Sequence, residues 1–226
     1  MLGMLAGFIV LAVLLLILER GFLRRFAMAA LGLSILVPII FILIKDTSFI
    51  KKSDVLIRFA SISPQETTTQ SRFTIWNMAF RGWKERPILG WGQESFVYIF
   101  SKYYEPSLWR QEPWFDRAHN VFLDWLTAGG VLGLASYLGM FGAAVWGSIR
   151  SLRAGIMDKI SFSVVAGLLS AHFFQNLFVF DNLTSYLLFF ALLAYVHFLA
   201  SSSGAAPADA KFNSPSRLHA LSSGIP

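Results

Sequence analysis

Five stretches of this chain are long, apolar and free of Lys, Arg, Asp and Glu: residues 1–18, 26–44, 125–149, 160–180 and 183–200. Crossing a bilayer takes roughly 20 mostly apolar residues in a helix. An open strand in lipid would leave backbone N–H and C=O groups without partners, so each stretch reads as a helix. The pattern predicts an all-α polytopic membrane protein with about five transmembrane helices. Pro38 predicts a kink near the end of the second span. No basic residue precedes the first stretch, and Glu19-Arg20 follows it. It therefore reads as a span and not as a cleaved leader.

Composition excludes the other classes. Charged residues make up only 14% and apolar residues 55%, against about 25% and 45–50% in soluble domains. With no cysteine, the chain has neither disulfides nor thiolate chemistry. In such a protein a net charge of +6 reports topology and contact with anionic membrane lipids, not nucleic acid.

The short loops orient the spans. Arg20, Arg24 and Arg25 follow the first stretch, and Arg150, Arg153 and Lys159 follow the third. Basic short loops stay in the cytoplasm, and five spans put these two loops on one side. The N-terminus is then outside and the tail, residues 201–226, inside. That tail is rich in Ser, Ala and Pro and reads as disordered. Residues 1–200 read as one membrane domain whose outer loop is 45–118. The loop carries 11 of the 19 basic and 8 of the 13 acidic residues, but long loops are exempt from the charge rule.

A loop of this length is too long for a connector, and such loops are usually functional. Phe73, Trp76, Phe80 and Trp83 are spaced three and four apart, predicting a helix over 71–85 with that face apolar. Arg86-Pro87 ends it. Gly90-Trp91-Gly92 reads as a turn, and 94–104 as a second short helix closed by Glu105-Pro106.

The densest polar cluster is Asp116-Arg117-Ala118-His119-Asn120 with Asp124, where this loop meets the third span. On a helix Asp116, Asn120 and Asp124 share a face. His119 is either a general base, since imidazole suits proton transfer near neutral pH, or an interfacial side chain bonded to a carbonyl. The outer arginines Arg72, Arg81, Arg86, Arg110 and Arg117 either fork onto phosphate oxygens or snorkel. Five of the seven tryptophans lie in this loop: Trp76, Trp83, Trp91, Trp109 and Trp114. They read as an interfacial belt or as platforms for sugar rings. Gln175-Asn176 and Asp181-Asn182 either line the same site or cap helices. His172 reads as a bond between helices; His197 and His219 carry no functional expectation. Gly129, Gly130, Gly133, Gly139 and Gly142 read as close-packing positions, with Gly129-Gly130 also able to bend the helix. No phosphate-loop, HExxH or GxSxG motif is present. No evident metal-ligand spacing occurs, so the expectation is a reaction without metal or other cofactor.

Several pieces together resemble the bacterial O-antigen ligase and O-antigen polymerase family. They are Arg72-x-x-x-Trp76, then Arg86-Pro87-Ile88-Leu89-Gly90-Trp91-Gly92, then Arg117-Ala118-His119-Asn120-Val121-Phe122-Leu123, and last Gly129-Gly130-Val131-Leu132-Gly133. The resemblance implies a multi-spanning glycosyltransferase of the bacterial inner membrane acting on its outer, periplasmic face. Its donor would be a glycan on undecaprenyl diphosphate. Its acceptor would be lipid A core, a growing glycan or protein. It implies His119 as the base, Arg72 as a diphosphate contact and Arg117 as a further phosphate contact. The candidate site is thus His119 for catalysis, with Arg72, Arg117, Asn120, Trp76 and Arg81 for substrate. Family members usually have about ten or more spans, so the resemblance also implies that this sequence is the C-terminal part of a longer protein. Two other readings remain: a small-solute or anion transporter, and a non-catalytic fragment that binds polyprenyl phosphate.

Overall fold

The computed structural model describes residues 2–60, 67–110 and 114–202. All regular structure there is helical. In order come α1 (Leu2–Leu18), α2 (Phe22–Ile44), α3 (Ser48–Lys51), α4 (Asp54–Ala60), α5 (Thr67–Glu85) and α6 (Phe96–Lys102). A 3-10 turn (Pro106–Arg110) follows, then α7 (Val121–Arg153), α8 (Lys159–Gln175) and α9 (Leu183–Ser202). All five apolar stretches are helices. Three of these, α2, α7 and α9, are long and apolar enough to cross a membrane. The other two have 17 residues each, the lower limit for a span at about 1.5 Å per residue. The stretch 160–180 stops early because Asn176 caps α8. α2 continues through Pro38 as one helix. Beyond Ser202 the tail lies outside the described residues, as do 61–66 and the side chain of Arg110.

α1 packs antiparallel on α8 through a seam of small residues. A Cβ on Gly3 would lie 2.5 Å from the Ala171 carbonyl, and one on Gly7 would lie 2.6 Å from both Ala171 Cβ and the Gly167 carbonyl. Gly3-x-x-x-Gly7 thus faces Gly167-x-x-x-Ala171 across a backbone contact, a standard device for apolar helices in lipid. Overpacking such a contact costs about 1–3 kcal/mol. Gly7→Leu therefore lowers the thermal midpoint in detergent, whereas Phe8→Leu, on the exposed face, leaves it in place. α7 and α9 run in the same direction, with Gly147 against Val196 and Ala200. This arrangement brings the two turns with basic residues in or beside them (the basic turns), 19–21 and 154–158, to one end of the bundle and residues 114–120 and 176–182 to the other.

The helix over 71–85 is present, but its buried face is not the aromatic one. Ser71, Ile75, Met78, Ala79 and Gly82 face inward, and Ile75, Met78 and Ala79 pack with Phe96, Ile99, Phe100, Leu108 and Phe115. Phe73 and Phe80 are 56% and 44% exposed. Two apolar stripes share this helix, and the one with smaller side chains is buried because α6 approaches closely at Gly82, where a Cβ would meet Ile99 at 2.5 Å. Three tryptophans staple the loop by donating their indole N–H to backbone carbonyls: Trp76 to Ala118 at 3.0 Å, Trp83 to Pro87 at 3.1 Å and Trp91 to Gly82 at 2.8 Å. Trp109 and Trp114 are exposed, as a belt requires. Lys102, 2.5 Å away, and then the Tyr103 hydroxyl hold the exposed Glu85 carboxyl below the usual range. That tie between α5 and α6 is present above the ordinary Glu pKa and lost as pH falls through the lowered one.

α7 is broken at Gly130, where φ is 62° and ψ −159°. Thirty-three residues of straight helix span about 50 Å, more than a bilayer core needs. The break leaves 131–153 as a segment of span length and sets 121–129 apart as a separate first part of the helix. Backbone groups freed at the break pair with the loop after α5. Trp91 and Gly92 donate to Thr127 and Ala128, each at 2.8 Å, and Val131 donates to Pro87 at 2.8 Å. Gly130 is the break, and Gly133 lies close to the Trp125 carbonyl. At Gly129, Gly139 and Gly142 an added Cβ would have no heavy atom within 4 Å outside the helix's own backbone. The packing role expected for those three is therefore not found among the described residues.

Candidate functional site

The chain enters α7 through a sharply constrained corner. Asn120 is the N-cap, its Oδ1 accepting from the N–H groups of Phe122 and Leu123 at 3.0 and 3.1 Å. His119, just before it, has φ 53°. A non-glycine residue held in that region costs of order 1–3 kcal/mol and persists where its surroundings over-determine it. Here both neighbours are fixed. The Ala118 N–H donates to Asp124 Oδ1 at 2.8 Å, and the Ala118 carbonyl accepts from Trp76 Nε1. The Val121 N–H donates to the Asn176 carbonyl at 2.9 Å. Outliers of this kind cluster at functional sites. The second non-glycine outlier among the described residues, Glu94 at φ 58°, is in the same place.

The His119 ring packs against Phe115 and Phe180, centroids 5.6 and 5.3 Å away. The Arg117 guanidinium lies 5.8 Å from that same Phe180 ring, and its Nη2 pairs with Glu94 at 2.9 Å. Arg72 is half-buried and one turn before Trp76 on the same flank of α5, with about 5–6 Å between their Cβ atoms. Trp76 itself bonds to the peptide preceding His119. These contacts gather Trp76, Arg117, His119 and Asn120, and Arg72 is placed one helical turn from Trp76 on α5. Arg81 is directed elsewhere: half a turn around α5 from Arg72, it pairs with Glu105 at 3.8 Å and stacks on Tyr103 at 4.3 Å. Arg86 stacks on Trp91 at 4.3 Å.

Beside Arg117 opens a cavity of about 350 Å³ whose wall includes Gln93, Asp124, Trp125, Asp181 and Tyr186. Asp181 is buried and saturated. Its Oδ1 accepts from Ser185 Oγ at 2.8 Å and its Oδ2 from Asn176 Nδ2 at 3.1 Å. The same amide nitrogen is 2.7 Å from Tyr137 Oη and 3.1 Å from His172 Nε2. His172 therefore bonds at the end of its own helix, and it meets α9 by stacking on Phe189 at 4.5 Å. Asn182 caps α9 by accepting from the Ser185 N–H at 3.0 Å. The two pairs flanking the α8–α9 turn divide: Asp181 lines the site, and Asn182 is a cap. Among the described residues no group of three or more His, Asp or Glu could hold a metal ion.

Sequence reasoning missed Glu94, Phe180 and Tyr186. Nothing in the residue order marks them, because each joins the site through tertiary contact. The Gly3–Gly7 seam was missed although its four-residue spacing spells it out.

The fold defines a polytopic α-helical membrane protein with a braced histidine corner at one end of its bundle. The family model described as O-antigen ligase matches residues 1–138, more than half of the chain, and the chain belongs to that family. The match covers Arg72, Trp76, His119 and the broken part of α7. It makes this a bacterial inner-membrane protein of a glycan-transferring enzyme family. No curated protein matches the chain.

Proposed function

We propose that this corner transfers a glycan from a lipid-linked diphosphate donor, undecaprenyl diphosphate in the family, to an acceptor hydroxyl on the outer face of the membrane. The observation that carries the reading is the braced His119, set beside Arg117 across Phe180, with Trp76, one helical turn along α5 from Arg72, bonded to the peptide that precedes it. His119 takes the proton of the acceptor hydroxyl as its oxygen bonds to the anomeric carbon. The anomeric C–O bond to diphosphate breaks, and the diphosphate leaves as an anion. Guanidinium groups stabilise the charge developing on it, and a positioned base contributes about 10²–10⁴-fold. Arg72 is the first candidate for the diphosphate. Arg117 follows, since Glu94 already engages one of its nitrogens. Trp76 and Asn120 act by holding the corner, through the Ala118 carbonyl and the α7 cap. The acceptor is lipid A core, a growing glycan or protein.

Replacing the Arg72 fork with a point charge tests the diphosphate contact. In the full-length enzyme Arg72→Lys raises KM for the lipid-linked donor about tenfold, the equivalent of one lost charge-assisted contact. An unchanged KM removes Arg72 from the site. Reconstituted vesicles that take up solute without transferring glycan would establish transport instead. The position of the polar cluster at the bundle's end, not its middle, favours transfer.

A further inference from the structure

We propose that the cavity between the first turns of α7 and the start of α9 is a saccharide subsite that holds one pyranose unit, with Asp124 as its hydrogen-bond anchor. The inference rests on the transfer reading and adds where a sugar of the reaction is held.

The charged and amide side chains of the cavity wall differ in what they have left to offer. Asp181 has both oxygens engaged. Arg117 is paired with Glu94, and Gln93 is exposed. Asp124 is different. Its Oδ1 holds the Ala118 N–H, while its Oδ2 is a buried acceptor without a hydrogen-bond partner. A buried acceptor left unmade costs about 1–3 kcal/mol, more when charged. Asp124 lines the cavity, and a turn of its carboxyl that brings Oδ2 to a hydroxyl seated there removes that cost. The rest of the wall suits a carbohydrate. Trp125, Tyr186 and Phe190 offer ring surface to the C–H face of a sugar, and Arg117 offers donors to its oxygens. A volume of about 350 Å³ is at the small end for ligand sites, which run about 300–1,000 Å³. It fits a single ring and not a long oligosaccharide.

Position supports the same assignment. Asp124 is tied through Ala118 to the corner that carries His119, and Arg117 and His119 share the ring of Phe180. A pyranose seated on Asp124 is therefore next to the proposed reacting groups. It is either the first sugar of the donor or the terminal sugar of the acceptor; both bring vicinal hydroxyls.

The experiment uses the full-length protein in lipid nanodiscs. Methyl glycosides of glucose, galactose, mannose and N-acetylglucosamine are the probes, read by saturation-transfer NMR. In Asp124→Asn the side-chain oxygen still accepts from Ala118 while an amide donor replaces the free acceptor. Expected is saturation transfer to at least one glycoside with the native protein, weakened about tenfold or more by Asp124→Asn. Tyr186→Ala, which removes ring surface, weakens the same glycoside. Binding by none of the four, or equal binding by both variants, overturns the subsite. With the natural substrates the change appears in KM. A rise confined to the lipid-linked donor assigns the donor sugar, and one confined to the acceptor assigns the acceptor sugar. No rise for either overturns the proposal. Glycoside binding without any transfer by the native protein would sink the transfer reading and leave the subsite standing.

Discussion

Glycan transfer falls by about 10²–10⁴-fold in a His119→Ala variant of the full-length protein, while membrane insertion and thermal stability are retained. The expectation follows from how the residue is held. Its backbone is left-handed, and bonds of its neighbours help to hold it so: Asp124 and Trp76 to Ala118, and Asn120 to the start of α7. Removing the imidazole deletes the base and its ring contacts with Phe115 and Phe180 and leaves those bonds in place. Measuring transfer from a lipid-linked donor alongside size-exclusion profiles separates the two effects. Transfer within about threefold of native by a well-folded His119→Ala protein, far short of the loss a positioned base implies, would show that the ring is not the base.

Gly130→Val leaves little folded protein. Its φ of 62° is strained for any side chain, and more so for a β-branched one. A Cβ there would also lie 2.2 Å from the Ile88 carbonyl. That carbonyl belongs to the loop whose backbone bonds to the break in α7, so neither side can give way without losing the other. Losses above about 4–5 kcal/mol come from this kind of combined backbone and packing conflict. The contrast is Gly142→Ala, with no heavy atom within 4 Å of the added carbon. It keeps or slightly raises stability, since alanine favours helix over glycine by about 1 kcal/mol. Fluorescence-detected size exclusion after detergent extraction reads both variants. Equal monodisperse yield for Gly130→Val would show that the interlock does not hold the fold together.

Much of this architecture was legible in the residue order, for a physical reason. Twenty or so apolar residues in a row have few options in lipid, so the helices, and the placing of the two basic turns together, followed directly. The outer loop was harder. α5 has two apolar stripes, and hydrophobicity alone favours the larger, aromatic one for the core without saying which stripe a neighbour can approach. Gly82 made the smaller stripe the closer fit. The glycines of α7 show the same limit. Composition marks them as small, but the backbone decides that Gly130 is a break while Gly139 and Gly142 face open surface. His119 and Arg117 came from a motif. Their shared contact with Phe180, and the cavity reaching Asp181 and Tyr186, depend on α9 returning beside α7, which no local pattern encodes.

Transfer on the outer face requires the histidine corner to face the outside, opposite the two basic turns. The chain has no native cysteine, so within it a single substitution introduces the one thiol that reacts. Asp116→Cys, exposed beside the corner, and Ala154→Cys, exposed on a basic turn, are made in the full-length protein and treated in intact cells with a maleimide that crosses the outer but not the inner membrane. Asp116→Cys is labelled in intact cells, and Ala154→Cys only after lysis. Labelling of Ala154→Cys in intact cells, with Asp116→Cys protected until lysis, would contradict this placement.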